Sequence, residues 1–104
     1  NHIGNFVTTM PCLTESMYLI GDWHHQQKLW QLIETNSLSV HQLTDSDLYR
    51  MNILMEKYQD TPMDFADASL VATAESLKIN KIFTLDSDFY VYRINETESF
   101  EIIP

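Results

Sequence analysis

Asp64-Phe65-Ala66-Asp67-Ala68-Ser69-Leu70-Val71-Ala72-Thr73-Ala74-Glu75-Ser76-Leu77-Lys78, followed after Ile79-Asn80 by Lys81-Ile82-Phe83-Thr84-Leu85 and Asp86-Ser87-Asp88, is the stretch on which the fold turns. Four alanines, an apolar side of Leu70, Val71, Ala74 and Leu77, and two aspartates in the first turn predict a helix from Asp64 to Lys78. Lys81 to Leu85 is a short apolar run that predicts a buried strand, and the polar Asp86-Ser87-Asp88 predicts the turn that ends it. A helix feeding directly into a buried strand is the recurring unit of a layered α/β fold.

The same alternation runs upstream. Phe6-Val7-Thr8-Thr9 is β-branched and aromatic, and Pro11 then suits the first turn of a helix that runs to Gly21. Asp22 can cap a second helix to about Asn36, in which Trp23, Trp30 and Ile33, with Leu29 and Leu32 beside them, have the spacing of a buried stripe. Leu38-Ser39-Val40-His41-Gln42-Leu43 alternates as a half-buried strand should. Thr44 and Asp47 resemble a capping box, and Leu48, Met51, Met55 and Tyr58 mark one face of the helix that Thr61-Pro62 ends. Downstream, Val91 to Ile94 and Phe100 to Ile103 read as two short strands. Strands alternating with helices predict an α/β domain with a mainly parallel central sheet and helices on its faces.

With 104 residues the chain has the size of one compact domain, and no repeat or linker divides it, so residues 1–104 are read as a single domain. A hydrophobic fraction of 44% with only two Gly and three Pro is that of a folded chain. Its formal charge of -9 repels phosphate backbones and excludes nucleic-acid binding through a broad basic patch. Any contact with RNA has to be local or carried by a metal. Cys12 is the only cysteine, which rules out an intrachain disulfide and points to a reducing, cytoplasmic home. No apolar run approaches the roughly 18 residues of a membrane span, so no membrane association is expected.

Several familiar signals fail on spacing. Two glycines cannot build a phosphate-binding loop. His24 and His25 are adjacent, so on a helix their side chains diverge by about 100 degrees. Asp45-Ser46-Asp47 and Asp86-Ser87-Asp88 both resemble the start of a calcium loop, yet Arg50 and Val91 stand where that loop requires glycine. Trp23, Trp30 and the methionines read as packing surface, and Arg50, Arg93 and Lys81 as surface charges.

The carboxylates are more informative. In open parallel sheets the functional crevice lies beyond the carboxyl ends of the strands, where helix N-termini gather. Glu15 lies in the first turns of the helix after the first strand, Asp64 and Asp67 open the alanine-rich helix, and Asp86 and Asp88 follow the strand ending at Leu85. Each could simply complement a helix dipole or cap free N–H groups. Three segments converging on one rim are instead what a hard divalent cation needs, because it requires several carboxylate oxygens held together. Such a cluster suits metal-assisted hydrolysis of a phosphodiester.

Three blocks then carry a resemblance: Phe6 to Glu15 (FVTTMPCLTE), Pro62 to Ala72 (PMDFADASLVA) and Ile82 to Phe89 (IFTLDSDF). Together with Val91-Tyr92-Arg93 and the closing Phe100 to Pro104, they resemble the PIN-domain family, including the VapC-type toxin ribonucleases. The resemblance implies a three-layer αβα fold, hydrolysis of RNA with Mg2+ or Mn2+, a homodimer and, for a toxin, inhibition by a cognate antitoxin. It implies Glu15, Asp67 and Asp86 as catalytic residues and Glu15, Asp67, Asp86 and Asp88 as metal ligands. Asp64 either supports the site or only caps its helix, and Thr84 either positions water or a carboxylate or is a plain strand residue. PIN domains open with a strand that carries an Asp, and Asn1-His2-Ile3-Gly4-Asn5 resembles the sequence after that strand, so the resemblance also implies an N-terminally truncated domain. The alternative is a catalytically inactive PIN-like module or fragment that binds a protein partner. A phosphotransfer domain ranks behind both, since it would place a nucleophilic Asp on the first strand and a Lys near the last.

Overall fold

The computed structural model describes residues 6–61 and 63–85 in full, and 101–103 as backbone. In chain order the elements are β1 (Phe6–Thr9), α1 (Met10–Ile20), α2 (Trp23–Glu34), β2 (Leu38–His41), α3 (Asp45–Lys57), α4 (Phe65–Leu77), β3 (Lys81–Phe83) and β4 (Glu101–Ile103). The described strands form one parallel sheet in the order β2-β1-β3-β4. The expectation of a mainly parallel α/β sheet is met.

Alternation along the strands sorts their side chains into two cores, one on each face of the sheet. Val7 and Ile82 join Met51, Leu54, Leu70, Val71 and several alanines on the α3–α4 side. Phe6, Leu38 and Phe83 join Leu13 and Leu29 on the α2 side. Helices on both faces of one parallel sheet make the three-layer αβα arrangement. All four residues of β1 are buried, as the position of that strand between β2 and β3 requires.

Local sequence explains the joints. Thr9 caps α1 with Pro11 in its first turn, and Gly21 ends that helix with a φ of 95, a value that side-chain-bearing residues seldom adopt. Asp22 caps α2 by accepting from the His25 N–H. Thr44 and Asp47 make the expected reciprocal capping box at α3, and Asp64 and Asp67 make a second one at α4. Lys78 closes α4 in the left-handed region.

Three sequence expectations are corrected. The stripe assigned to α2 is wrong in its aromatics: Trp23 is 70% and Trp30 43% exposed, and Leu29 is the residue that reaches the core. Helical periodicity fits two neighbouring faces there, and the shorter branched side chain fills the gap beside Leu13 and Phe83. On α3 the inward face is rotated, so that Met51 and Leu54 are buried while Leu48 is exposed. The strands are also shorter than the apolar runs that announce them, β2 stopping at His41 and β3 at Phe83. The strand expected over Val91 to Ile94 lies outside the described residues.

The core is dominated by α4, which is buried from Ala66 through Ala74. Within that run Thr73 Oγ1 has no hydrogen-bond partner among the described residues. A buried orphan hydroxyl costs about 1–3 kcal/mol, and an isosteric apolar replacement removes that cost. Thr73→Val is therefore expected to raise unfolding free energy by about 1 kcal/mol in a denaturant titration, whereas Leu70→Ala, which empties a fully buried position, lowers it by about 2–5 kcal/mol.

Candidate metal and substrate site

The carboxyl ends of β1, β2 and β3 form a rim to which the N-termini of α1, α3 and α4 all come. At α4, the Asp67 N–H donates to Asp64 Oδ1 at 2.9 Å, and Asp67 Oδ2 accepts from the Asp64 N–H at 3.0 Å. Asp67 is 3% exposed and Asp64 is exposed. Both residues therefore satisfy the orphan N–H groups of the helix start, and only Asp67 is drawn inside the fold.

Ser69, two residues further on, explains why. Its hydroxyl hydrogen-bonds the Thr9 hydroxyl at the end of β1 and also donates to the Ala66 carbonyl at 2.6 Å. This ties the first turns of α4 to the end of the central strand.

A second polar contact links α1 to β3. The Cys12 thiol donates to the Phe83 carbonyl at 3.5 Å, and Thr8 Oγ1 donates to the same carbonyl at 3.3 Å. Burial pushes the thiol pKa up, the hydroxyls of Thr8, Thr84 and Ser16 pull it back, and the nearby Glu15 carboxylate adds to the rise. Glu15, exposed on α1, thus lies close enough to Cys12 for its charge to be felt there. Thr84 is buried and takes part in the same cluster.

Of the residues singled out from sequence, Asp67 is buried in the first turn of α4, Thr84 is buried just past the end of β3, Glu15 is exposed on α1 near Cys12, and the Asp64 carboxylate is engaged as the helix cap. Asp86 and Asp88 lie outside the described residues. Among the described residues no three His, Cys, Asp or Glu side chains gather closely enough to hold a metal ion.

One pair at this rim was not singled out as a site in the sequence. His41, the last residue of β2, bonds through Nε2 to Asp47 Oδ2 at 2.9 Å, and the same oxygen accepts from the Thr44 N–H at 2.9 Å. The side chains are 17% and 2% exposed. Burial works to raise the Asp47 pKa, but the hydrogen bonds from Thr44 and His41 outweigh it and hold the carboxyl below its usual value. The capping box was legible, but its imidazole partner was not, because nothing in the sequence says that His41 turns toward α3 rather than toward solvent.

A parallel α/β domain with helix N-termini at the carboxyl ends of its strands belongs to the broad class of layered folds that carry their chemistry at strand ends. Residues 1–95 match the PIN domain, and the chain belongs to that family. Its members are generally nucleases that bind RNA and typically use divalent metal ions. No curated protein matches the chain. Among the described residues no helix is long and apolar enough to cross a membrane.

The lowered Asp47 pKa has a sign that can be checked. A carboxyl whose pKa is lower folded than unfolded adds stability that is present above the unfolded pKa and lost as pH falls through the folded one. The thermal midpoint is expected to drop below about pH 4, and Asp47→Asn should flatten that acid limb while lowering the midpoint at neutral pH.

Proposed function

We propose that this PIN domain is a Mg2+- or Mn2+-dependent endoribonuclease of the toxin–antitoxin kind. The observation that carries the reading is the buried placement of Asp67. A carboxylate held at 3% exposure beside the end of the central strand, with the Glu15-bearing helix starting at that same strand end, stands where carboxylate oxygens could be held together for a divalent cation. Asp67, Glu15, Asp86 and Asp88 would hold the metal, with Asp67, Glu15 and Asp86 forming the catalytic set. Asp64 would shape the helix start, and Thr84 would support the floor of the site through the Cys12 cluster.

When bound, the divalent ion supplies Lewis acidity and a more acidic water at the scissile phosphate. The chain's own contribution is placement. The reciprocal cap fixes the Asp67 rotamer, the Thr9–Ser69 bond fixes the height of α4 against β1, and the buried cluster of Cys12, Thr8 and Thr84 keeps bulk water from beneath the rim.

Exposed Tyr18, Leu19 and Trp23 around the α1–α2 junction support a protein interface, either with a second copy in a homodimer or with an antitoxin. The same feature favours the second reading, in which the domain binds a protein without cleaving RNA. Cleavage of single-stranded RNA in Mn2+ separates the two. Asp67→Asn and Glu15→Gln, each folded by circular dichroism, are expected to lose at least about 100-fold in rate, since even groups that only orient metal ligands cost 10–100-fold. Unchanged rates in both variants would sink the proposed site.

A further inference from the structure

The His41–Asp47 pair sits beside the proposed site without being part of it. Thr9 and His41 are register partners in adjacent parallel strands, about 4.8 Å apart. Phe6 and Leu38, the partners three residues earlier, both point into the α2-side core, so by alternation Thr9 and His41 both point to the α3–α4 side. Thr9 bonds Ser69 of α4 and His41 bonds Asp47 of α3, as that geometry requires.

The pair also fixes the chemistry of the ring. Asp47 is an acceptor, so Nε2 carries the proton, and in the neutral ring Nδ1 is left as a hydrogen-bond acceptor. Nδ1 has no partner among the described residues. His41 lines an open cleft of about 440 Å³ with Met10, Val40, Gln42 and Leu43. That volume lies within the range of small-molecule sites. The walls are apolar apart from two groups, the His41 ring and the Gln42 amide, and Met10 at the start of α1 is 59% exposed.

An oriented acceptor at the edge of an apolar cleft does not suit a phosphate, which offers only acceptors. It suits a hydroxyl donor, with the apolar wall left for a flat, weakly polar ring next to it. We infer that this cleft is a ribonucleoside subsite, in which Met10 and Leu43 face a base and His41 Nδ1 accepts from the ribose 2′-hydroxyl. The 2′-hydroxyl is the group by which a protein tells RNA from DNA at a given position. The inference rests on the nuclease reading for its choice of substrate, yet it concerns binding and can be tested without cleavage.

The full chain is titrated, with Ca2+ as the only divalent ion, into a fluorescent single-stranded RNA, the DNA of the same sequence and the 2′-O-methyl strand. The last keeps the sugar pucker of RNA but cannot donate from the 2′ position. Wild-type protein is expected to bind RNA about 5- to 10-fold more tightly than either analogue, the yield of one net hydrogen bond. In His41→Gln the amide can still donate to Asp47 but no acceptor stands at the Nδ1 position, so RNA binding should fall to the level of the two analogues while theirs stays constant. His41→Asn, which can offer its carbonyl near the Nδ1 position, should keep most of the preference.

Equal binding of the three strands by wild type, or equal weakening of all three by His41→Gln, overturns the inference. Should His41→Gln fail to fold, the imidazole resonances of wild type decide: His41 must shift with RNA and not with the 2′-O-methyl strand. Cleavage lost in Asp67→Asn alongside an absent 2′ preference would leave the nuclease reading standing and remove the subsite. A 2′ preference in a chain that never cleaves would do the reverse.

Discussion

The contact on which the rest of the molecule depends is the hydrogen bond between the Thr9 and Ser69 hydroxyls, where α4 meets the end of β1. A helix buried over nine consecutive residues has no outward face to lose. It can lie against a sheet only if its side chains are small, which the alanines at positions 66, 68, 72 and 74 provide, and it does so most favourably where the polar atoms it carries are satisfied locally, as all but Thr73 Oγ1 are among the described residues. Ser69 is satisfied by Thr9 and Ala66. Once that height is set, the first turn of α4 is also inside the fold, and its free N–H groups have no water to turn to. Asp64 and Asp67 supply the acceptors instead. The burial of Asp67 is thus a consequence of how α4 seats on β1, and a metal site built there inherits its rigidity.

A similar logic runs across the whole rim. Parallel strands end in the same direction, so every connection from strand to helix places a capping residue at one edge. Thr9 and Thr44 cap helices there, and Asp64 caps α4, whose first turns are tied to the end of β1 although it follows α3 rather than a strand. Caps of this kind are polar and short, and they leave room. The rim is for that reason both the best-capped part of the molecule and the part most open to a ligand, and the cleft beside His41 lies there for the same topological reason as Asp67.

The path from sequence to fold was legible where local chemistry dictates the outcome. The capping box of Thr44 and Asp47, the helix that begins after Asp64, the strand at Phe6–Thr9 and the parallel α/β class follow from residue types and spacing, and the PIN family follows from three short blocks. What was illegible depended on rotation or reach. The stripe Trp23–Trp30 and the neighbouring Leu29 satisfy helical periodicity about equally, and only the space left by Leu13 and Phe83 decides that the leucine enters. Leu48 lost its place to Leu54 in the same way. The carboxylates could be assigned to one rim from topology alone, but the distinction between Asp64 as an exposed cap and Asp67 as a buried one needed the contact with β1. His41 could not be found from spacing, since its role comes from the register of β2 against β1.

The net charge of -9 sets the terms on which such a chain can meet RNA. A broad basic face would give affinity that falls steeply with salt and reads nothing about the sugar. An acidic domain has to gain affinity where the field is locally reversed, or from contacts that carry no charge. A cation held by carboxylates would achieve the first at the scissile phosphate. An imidazole fixed by a buried aspartate, at the mouth of an apolar cleft, would offer the second. The two would belong on the same rim because the phosphate and the 2′-hydroxyl are neighbours on one nucleotide strand.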